Sequence, residues 1–168
     1  SCGPGSYTGL RIGVSTAKGL CYGWGIPLIA IDTLKVLCCG AMKKMAEKEV
    51  SVWLCPMIDA RRMEVYTGFF DQQLNQQVDT KAAIIEENSF SEILSQHSIV
   101  CFGNGAGKCK AILASPQVAY LDDIKPLAVN MAELAESYYK EKRFEDVAYF
   151  EPFYLKEFVA TVGKNKVF

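Results

Sequence analysis

Gly9, Gly13 and Ala17 recur every four residues through a stretch that also carries a helical stripe, with Leu10, Val14, Ala17 and Cys21 at i, i+4, i+7 and i+11. The spacing predicts a helix over 9–23. Ahead of it stands Gly3-Pro4-Gly5-Ser6-Tyr7-Thr8-Gly9, a loop in which glycine and proline forbid regular structure and two hydroxyls are available to cap the helix. An interior glycine costs a helix about 0.5–1 kcal/mol relative to alanine, so a face stripped of bulk needs compensation. Close approach of another backbone supplies it through many dispersion contacts. That backbone belongs either to this chain's own sheet or to another molecule, and spacing alone leaves both open. Arg11 and Lys18 fall on one edge of the same helix, where they pair with a partner's carboxylates or are simply solvated.

Beyond Gly25 and Pro27, the short apolar run 26–31 predicts a strand buried on both faces. Thr33 is placed to cap a second helix with Leu34, Leu37, Ala41 and Met45 on its apolar side, ending in the polar stretch 43–49. Strand-like runs come next at 50–58, 65–70 and 81–85, which suggests a meander. Ser89 with Glu92 resembles a capping box for a short helix. A strand over 99–102 leads into the turn Gly103-Asn104-Gly105-Ala106-Gly107-Lys108, and Pro126 opens a helix carrying Leu127, Met131, Leu134 and Tyr138 that ends near Lys142. The aromatic tail 149–162 is expected to pack on the body. This order argues for an α/β architecture in two lobes, 1–48 and 49–168, with the helix near 126–142 packing back on the first.

With 18 basic against 19 acidic side chains in 168 residues, there is no bulk attraction to nucleic acid or to an anionic membrane. No apolar run reaches the roughly 18 residues of a membrane span. Seven cysteines without a C-x-x-C pair fit reduced thiols and a cytoplasmic location. The single histidine, His97, removes every metal or catalytic pattern that needs two. Gly3, Gly5, Ser6 and Thr8 are candidates for anion binding, but no Gly-Lys-Ser/Thr comes after them and Thr8 stands where a dinucleotide loop requires glycine. The turn 103–108 lacks phosphate-loop spacing as well, and Ser6 is not in a G-x-S-x-G elbow. Asp59-Ala60-Arg61-Arg62 reads as a turn whose acid accepts its own amides while an arginine reaches outward.

Taken together, Gly3-Pro4-Gly5-Ser6-Tyr7-Thr8-Gly9-Leu10-Arg11-Ile12-Gly13, Asp59-Ala60-Arg61-Arg62 with Glu64-Val65-Tyr66, Gly103-Asn104-Gly105 and Pro152-Phe153-Tyr154-Leu155-Lys156 resemble the bacterial TsaB family, also called YeaZ. The resemblance implies an actin-like (ribonuclease H-like) fold of two α/β lobes. It also implies a non-catalytic subunit that binds the related enzyme TsaD, which transfers threonylcarbamoyl to the adenosine beside a tRNA anticodon. The ATPase TsaE joins that complex, tRNA is engaged indirectly, and no membrane is involved. The contact with TsaD, or a homodimer when the protein is alone, is expected through helix 9–23, with Gly9, Leu10, Arg11, Gly13, Val14, Ala17 and Lys18 at the surface. Asp59, Arg61 and Tyr154 are motif residues without an assigned role. No catalytic residue, metal or intrinsic cofactor is expected; ATP or ADP enters only in the complex. Family members begin with a strand hairpin that the sequence from Ser1 does not include, and without it the helix and strand 26–31 are expected to lack their usual cover. The competing expectation is an enzyme of the same fold, a metal-dependent glycoprotease-like peptidase or a nucleotide hydrolase.

Overall fold

A computed structural model describes residues 1–45 and 52–156. The start of the run at 50–58, the tail beyond Lys156 and the pair Lys164 and Lys166 lie outside the described residues.

Helix α1 spans Tyr7–Trp24. It begins at Ser6, whose Oγ accepts the Gly9 N–H at 3.3 Å, and Gly25 closes it in the left-handed conformation at φ 64°, its own N–H bonding back to the last turn. Helix α2 spans Thr33–Lys44, and the cap is Asp32 rather than Thr33: Asp32 Oδ1 accepts the N–H groups of Leu34 at 2.6 Å and Lys35 at 3.4 Å. Thr33 is instead buried at the first helical position, its hydroxyl without a hydrogen bond.

The run 26–31 is not a ladder strand. It makes one bridge, Leu28 with Glu145, and its end bonds to the opening loop, Cys2 N–H to Ile31 O at 2.9 Å and Thr33 N–H to Gly3 O at 2.8 Å. A short apolar run satisfies an extended covering segment as well as a strand, and Pro27 has no amide to donate.

The meander forms as expected. β1 (Val52–Asp59), β2 (Glu64–Phe70) and β3 (Gln76–Ile84) pair antiparallel, with β3 starting earlier than its apolar residues suggest. β4 (Ser98–Phe102) then lies parallel to β1, and β5 (Val118–Leu121) parallel to β4, giving the order β3-β2-β1-β4-β5. Between these strands lie α3 (Ser91–Leu94) and α4 (Ala106–Cys109). No capping box forms at α3: its cap is Phe90, and Ser89 Oγ accepts the Glu86 N–H instead. The helix expected from Pro126 divides into a 3-10 turn, Ala128–Met131, and α5, Ala132–Lys140.

Strand alternation sorts the core onto two faces. Leu54, Phe70, Val100 and Phe102 meet Leu34, Leu37, Cys38 and Ala41 of α2 on one side; Cys55, Met57, Val65, Phe69 and Cys101 meet Ala106 and Cys109 of α4 on the other. The 3-10 turn lies against α2, where Lys43 Nζ donates to Asn130 Oδ1 at 3.4 Å.

Candidate functional site

Helix α1 has two unlike sides. Leu10 and Val14 are 9% and 8% exposed, and Lys18 donates from Nζ to the carbonyls of Ala148 at 3.0 Å and Phe150 at 2.9 Å. Tyr7 meets Tyr154 with ring centroids 4.9 Å apart. On the free side, Ile12, Leu20 and Trp24 are 63%, 46% and 69% exposed, beside exposed Gly9, Gly13 and Thr16. At 3.6 residues per turn these six fall in one band about 120° wide. A Cβ on Gly13 would meet no atom within 4 Å, and one on Gly9 only the Ser6 side chain. Among the described residues, then, no sheet neighbour supplies the close approach to Gly9 and Gly13 that the glycine spacing anticipates. A groove of about 120 Å³ runs beside the band, between Gly13, Val14 and Ala17 and the segment at Leu28, Ile29 and Ala30.

Of the residues expected at a partner surface, Gly9, Arg11 and Gly13 are exposed and Ala17 is half-buried, whereas Leu10 and Val14 face the chain interior and Lys18 is held by internal carbonyls. Arg11 donates to the Tyr7 hydroxyl at 3.5 Å. Of the loop residues expected to bind an anion, Gly5 packs beside Leu10 and Ser6 is exposed at the helix cap, while Thr8 is exposed in the first turn of α1, which starts two residues earlier than the spacing predicts. Gly3, at φ 122°, lies so close to the tail that a Cβ would sit 2.5 Å from the Phe153 carbonyl oxygen.

A second cluster forms where β1 and β4 end together. The parallel register, Cys55 opposite Cys101 and Pro56 opposite Phe102, carries Asp59 and the turn Gly103-Asn104-Gly105 to the same edge. Asn104 Oδ1 accepts the Asp59 N–H at 3.0 Å, and Asp59 Oδ1 accepts the Arg61 N–H at 3.0 Å, the Asx turn expected from sequence. Lys108 pairs with Asp59 and donates to Glu64 O at 2.8 Å, while Lys156 pairs with the Glu64 carboxylate 5.9 Å from the Tyr66 ring centre. The hydrogen bond from Lys108 holds the Asp59 carboxyl below the usual aspartate range. Arg61 and Arg62 both sit at positive φ, 73° and 50°, a conformation that costs a side-chain-bearing residue roughly 1–2 kcal/mol. The turn is nevertheless fixed at both ends by Ala60 N–H to Glu64 O at 3.0 Å and Glu64 N–H to Arg61 O at 3.1 Å.

Sequence patterns do not single out Lys108, Glu64 or Lys156 individually. Their meeting is long-range: the register of β1 with β4 brings the turn before Lys108 to Asp59, and the path of the tail brings Lys156 to Glu64.

The remaining reactive groups are quiet. Cys101 lies opposite Cys55, and the hydrogen bond between them, with burial, pushes the Cys101 thiol well up, so it stays neutral. His97 stacks on Trp53 with ring centroids 4.0 Å apart. Among the described residues no three His, Cys, Asp or Glu side chains gather to hold a metal ion, and no helix is long and apolar enough to cross a membrane.

Residues 1–164 match the family model for TsaD, tRNA N6-adenosine threonylcarbamoyltransferase. The chain is 30% identical to the tRNA threonylcarbamoyladenosine biosynthesis protein TsaB of Escherichia coli over 94% of its own length and 69% of that protein's. It is 41% identical to the TsaB of Bacillus subtilis over a shorter stretch, 40% of this chain and 27% of the relative. A Pseudomonas aeruginosa crystal structure, described as an uncharacterized protein with similarity to peptidase YEAZ, superposes with a TM-score of 0.75 at 23% identity over 93% of this chain and 71% of that one. The likeness shows a shared actin-like fold.

Proposed function

Because the chain belongs to the TsaB (YeaZ) family, we propose that it serves tRNA threonylcarbamoyladenosine biosynthesis as a non-catalytic subunit that docks and activates a TsaD-type enzyme through the outward face of α1. The observation that carries the proposal is that Gly13 stands in the open beside exposed Ile12, Leu20 and Trp24. Within α1, Gly9, Gly13, Gly19 and Gly23 together weaken the isolated helix by about 2–4 kcal/mol, so their place on the surface asks for a compensating contact. A partner helix laid against Gly9 and Gly13 approaches closely enough for dense dispersion contact, and burying the part of Ile12, Leu20 and Trp24 still exposed is worth about 1–2 kcal/mol each. In the absence of the enzyme the same face serves a homodimer. The ATPase TsaE joins the assembled complex, bringing ATP or ADP with it, and tRNA is met through the enzyme. In the same proposal residues 1–48 form what the chain carries of the first lobe and 49–168 the second.

The neutral buried thiols and the stacked His97 favour this subunit role over the peptidase or nucleotide-hydrolase alternative. Reconstitution tests it. The chain should co-elute with its TsaD partner and raise formation of the modified adenosine, while turning over neither ATP nor peptide alone. Turnover by the isolated chain, lost in Ser6→Ala or Asp59→Asn, would establish the enzyme instead.

A further inference from the structure

The outward line of α1 is not uniform along its length. At about 100° per residue, Gly9, Gly13, Leu20 and Trp24 fall within roughly 60° of one another, the two glycines in the first half of the helix and the two bulky side chains in the second. Their spacing is symmetric. Gly9 and Trp24 lie equally far from a point between Thr16 and Ala17, and so do Gly13 and Leu20. Among the described residues no atom stands over Gly13 and only the Ser6 side chain lies near Gly9, while Leu20 and Trp24 are 46% and 69% exposed.

We propose that a second copy of this chain lies antiparallel across this face, with Leu20 of each copy seated over Gly13 of the other and Trp24 over Gly9; the proposal rests on the homodimer part of the reading above and gives it a register. Antiparallel two-fold pairing sets large against small at both ends. A parallel pair would set Trp24 on Trp24 and leave glycine facing glycine. Where the helices cross, Thr16 and Ala17 are small enough for the axes to approach to about 8 Å. The Thr16 hydroxyl already donates to the Ile12 carbonyl at 2.9 Å, so its burial leaves no donor unmet. Beside Gly13, the groove toward Leu28 and Ala30 gives the incoming leucine room. Charge does not oppose the pairing, because the band holds no ionisable residue and Arg11 and Lys18 lie on the other flank of the helix, bonded to Tyr7 and to the carbonyls of Ala148 and Phe150. The apolar surface comes chiefly from Ile12, Leu20 and Trp24 and falls short of the roughly 1,200 Å² at which stable complexes begin, so the pair is reversible and forms at high concentration.

Analytical ultracentrifugation over a range of concentrations tests the register with two single variants, each checked for folding by circular dichroism. Gly13→Leu sets leucine against leucine, and Leu20→Ala leaves the hollow over Gly13 unfilled. Each should self-associate at least roughly tenfold more weakly than wild type. Mixed in equal amounts, the two should associate about as tightly as wild type, because one copy then brings both leucines and the other both small residues. The double variant, Gly13→Leu with Leu20→Ala in one chain, should pair with itself for the same reason. Variants that stay monomeric when mixed overturn the pairing, as does unchanged self-association of Gly13→Leu. A wild-type chain that binds the TsaD partner yet stays monomeric throughout overturns the pairing and leaves the docking function standing. Association of the mixture, in a chain that does not bind the TsaD partner, supports the pairing and contradicts the docking function.

Discussion

Tyr7 and Tyr154 lie with ring centroids 4.9 Å apart at a tilt of 35°, pinning the first turn of α1 to the far end of the described chain. Such pairs contribute about 0.5–1.5 kcal/mol beyond the area they bury. Because α1 otherwise rests on irregular segments, through Lys18 to the carbonyls of Ala148 and Phe150, the pair controls how firmly the helix start is held. Tyr154→Ala should lower stability by about 1 kcal/mol and speed hydrogen exchange at the Leu10 amide, with little change in the strands. Equal exchange in both proteins would show that the stack does not anchor the helix.

Gly13 lies in helical backbone with no atom near its missing side chain. Gly13→Ala should therefore stabilise the isolated chain by about 0.5–1 kcal/mol, read as a rise in the denaturant midpoint. A lowered midpoint would mean that Gly13 has an internal neighbour.

How much of the fold and the site is legible in sequence depends on range. The loop from Gly3, the hydroxyl cap at Ser6 and the stripe of Leu10 and Val14 all act within a few residues, and α1 results from them. Ile26 and Leu28 read as strand because an apolar run does not say whether a ladder partner exists, and among the described residues only the bridge to Glu145 forms. β5 is four residues long, and Pro116 just ahead of it masks its pattern. Lys18 reads as part of a docking edge because its acceptors, Ala148 and Phe150, are remote in sequence. The motif stretches at Asp59, Gly103 and Tyr154 are each visible, but their convergence is set by the pairing of β1 with β4 and by the fold of the tail.

The Asp59 carboxyl is held below its ordinary value by the hydrogen bond from Lys108. A depressed carboxyl contributes stability that is fully present above the unfolded value of about 3.9 and is lost as pH falls through the folded value. Asp59→Asn should be less stable than wild type by a small, constant amount at neutral pH, since the pair is partly exposed. The two unfolding curves should converge in the acid range below about pH 4. A gap that persists there would assign the effect to the Asx turn rather than to charge.

Gly103 adopts φ 101°, and a Cβ there would lie 2.5 Å from the Met57 carbonyl oxygen, which is backbone and cannot swing away. Gly103→Ala should cost about 1–3 kcal/mol and loosen the contact between Asn104 and the Asp59 amide, seen as faster exchange at Asp59. Gly107→Ala, in α4 with no atom within 4 Å of its missing side chain, is the control and should leave exchange at Asp59 unchanged and stability no lower than wild type.

The most direct measurement is the affinity of Gly13→Leu and Gly13→Ala for the TsaD partner, by titration calorimetry on chains shown to be folded. A docking face built on close approach predicts that alanine weakens the complex modestly and leucine removes it, while the second cluster at Asp59 stays intact by its exchange protection. Wild-type affinity in Gly13→Leu would contradict the docking function, because a leucine side chain cannot stand where a partner's backbone is meant to lie.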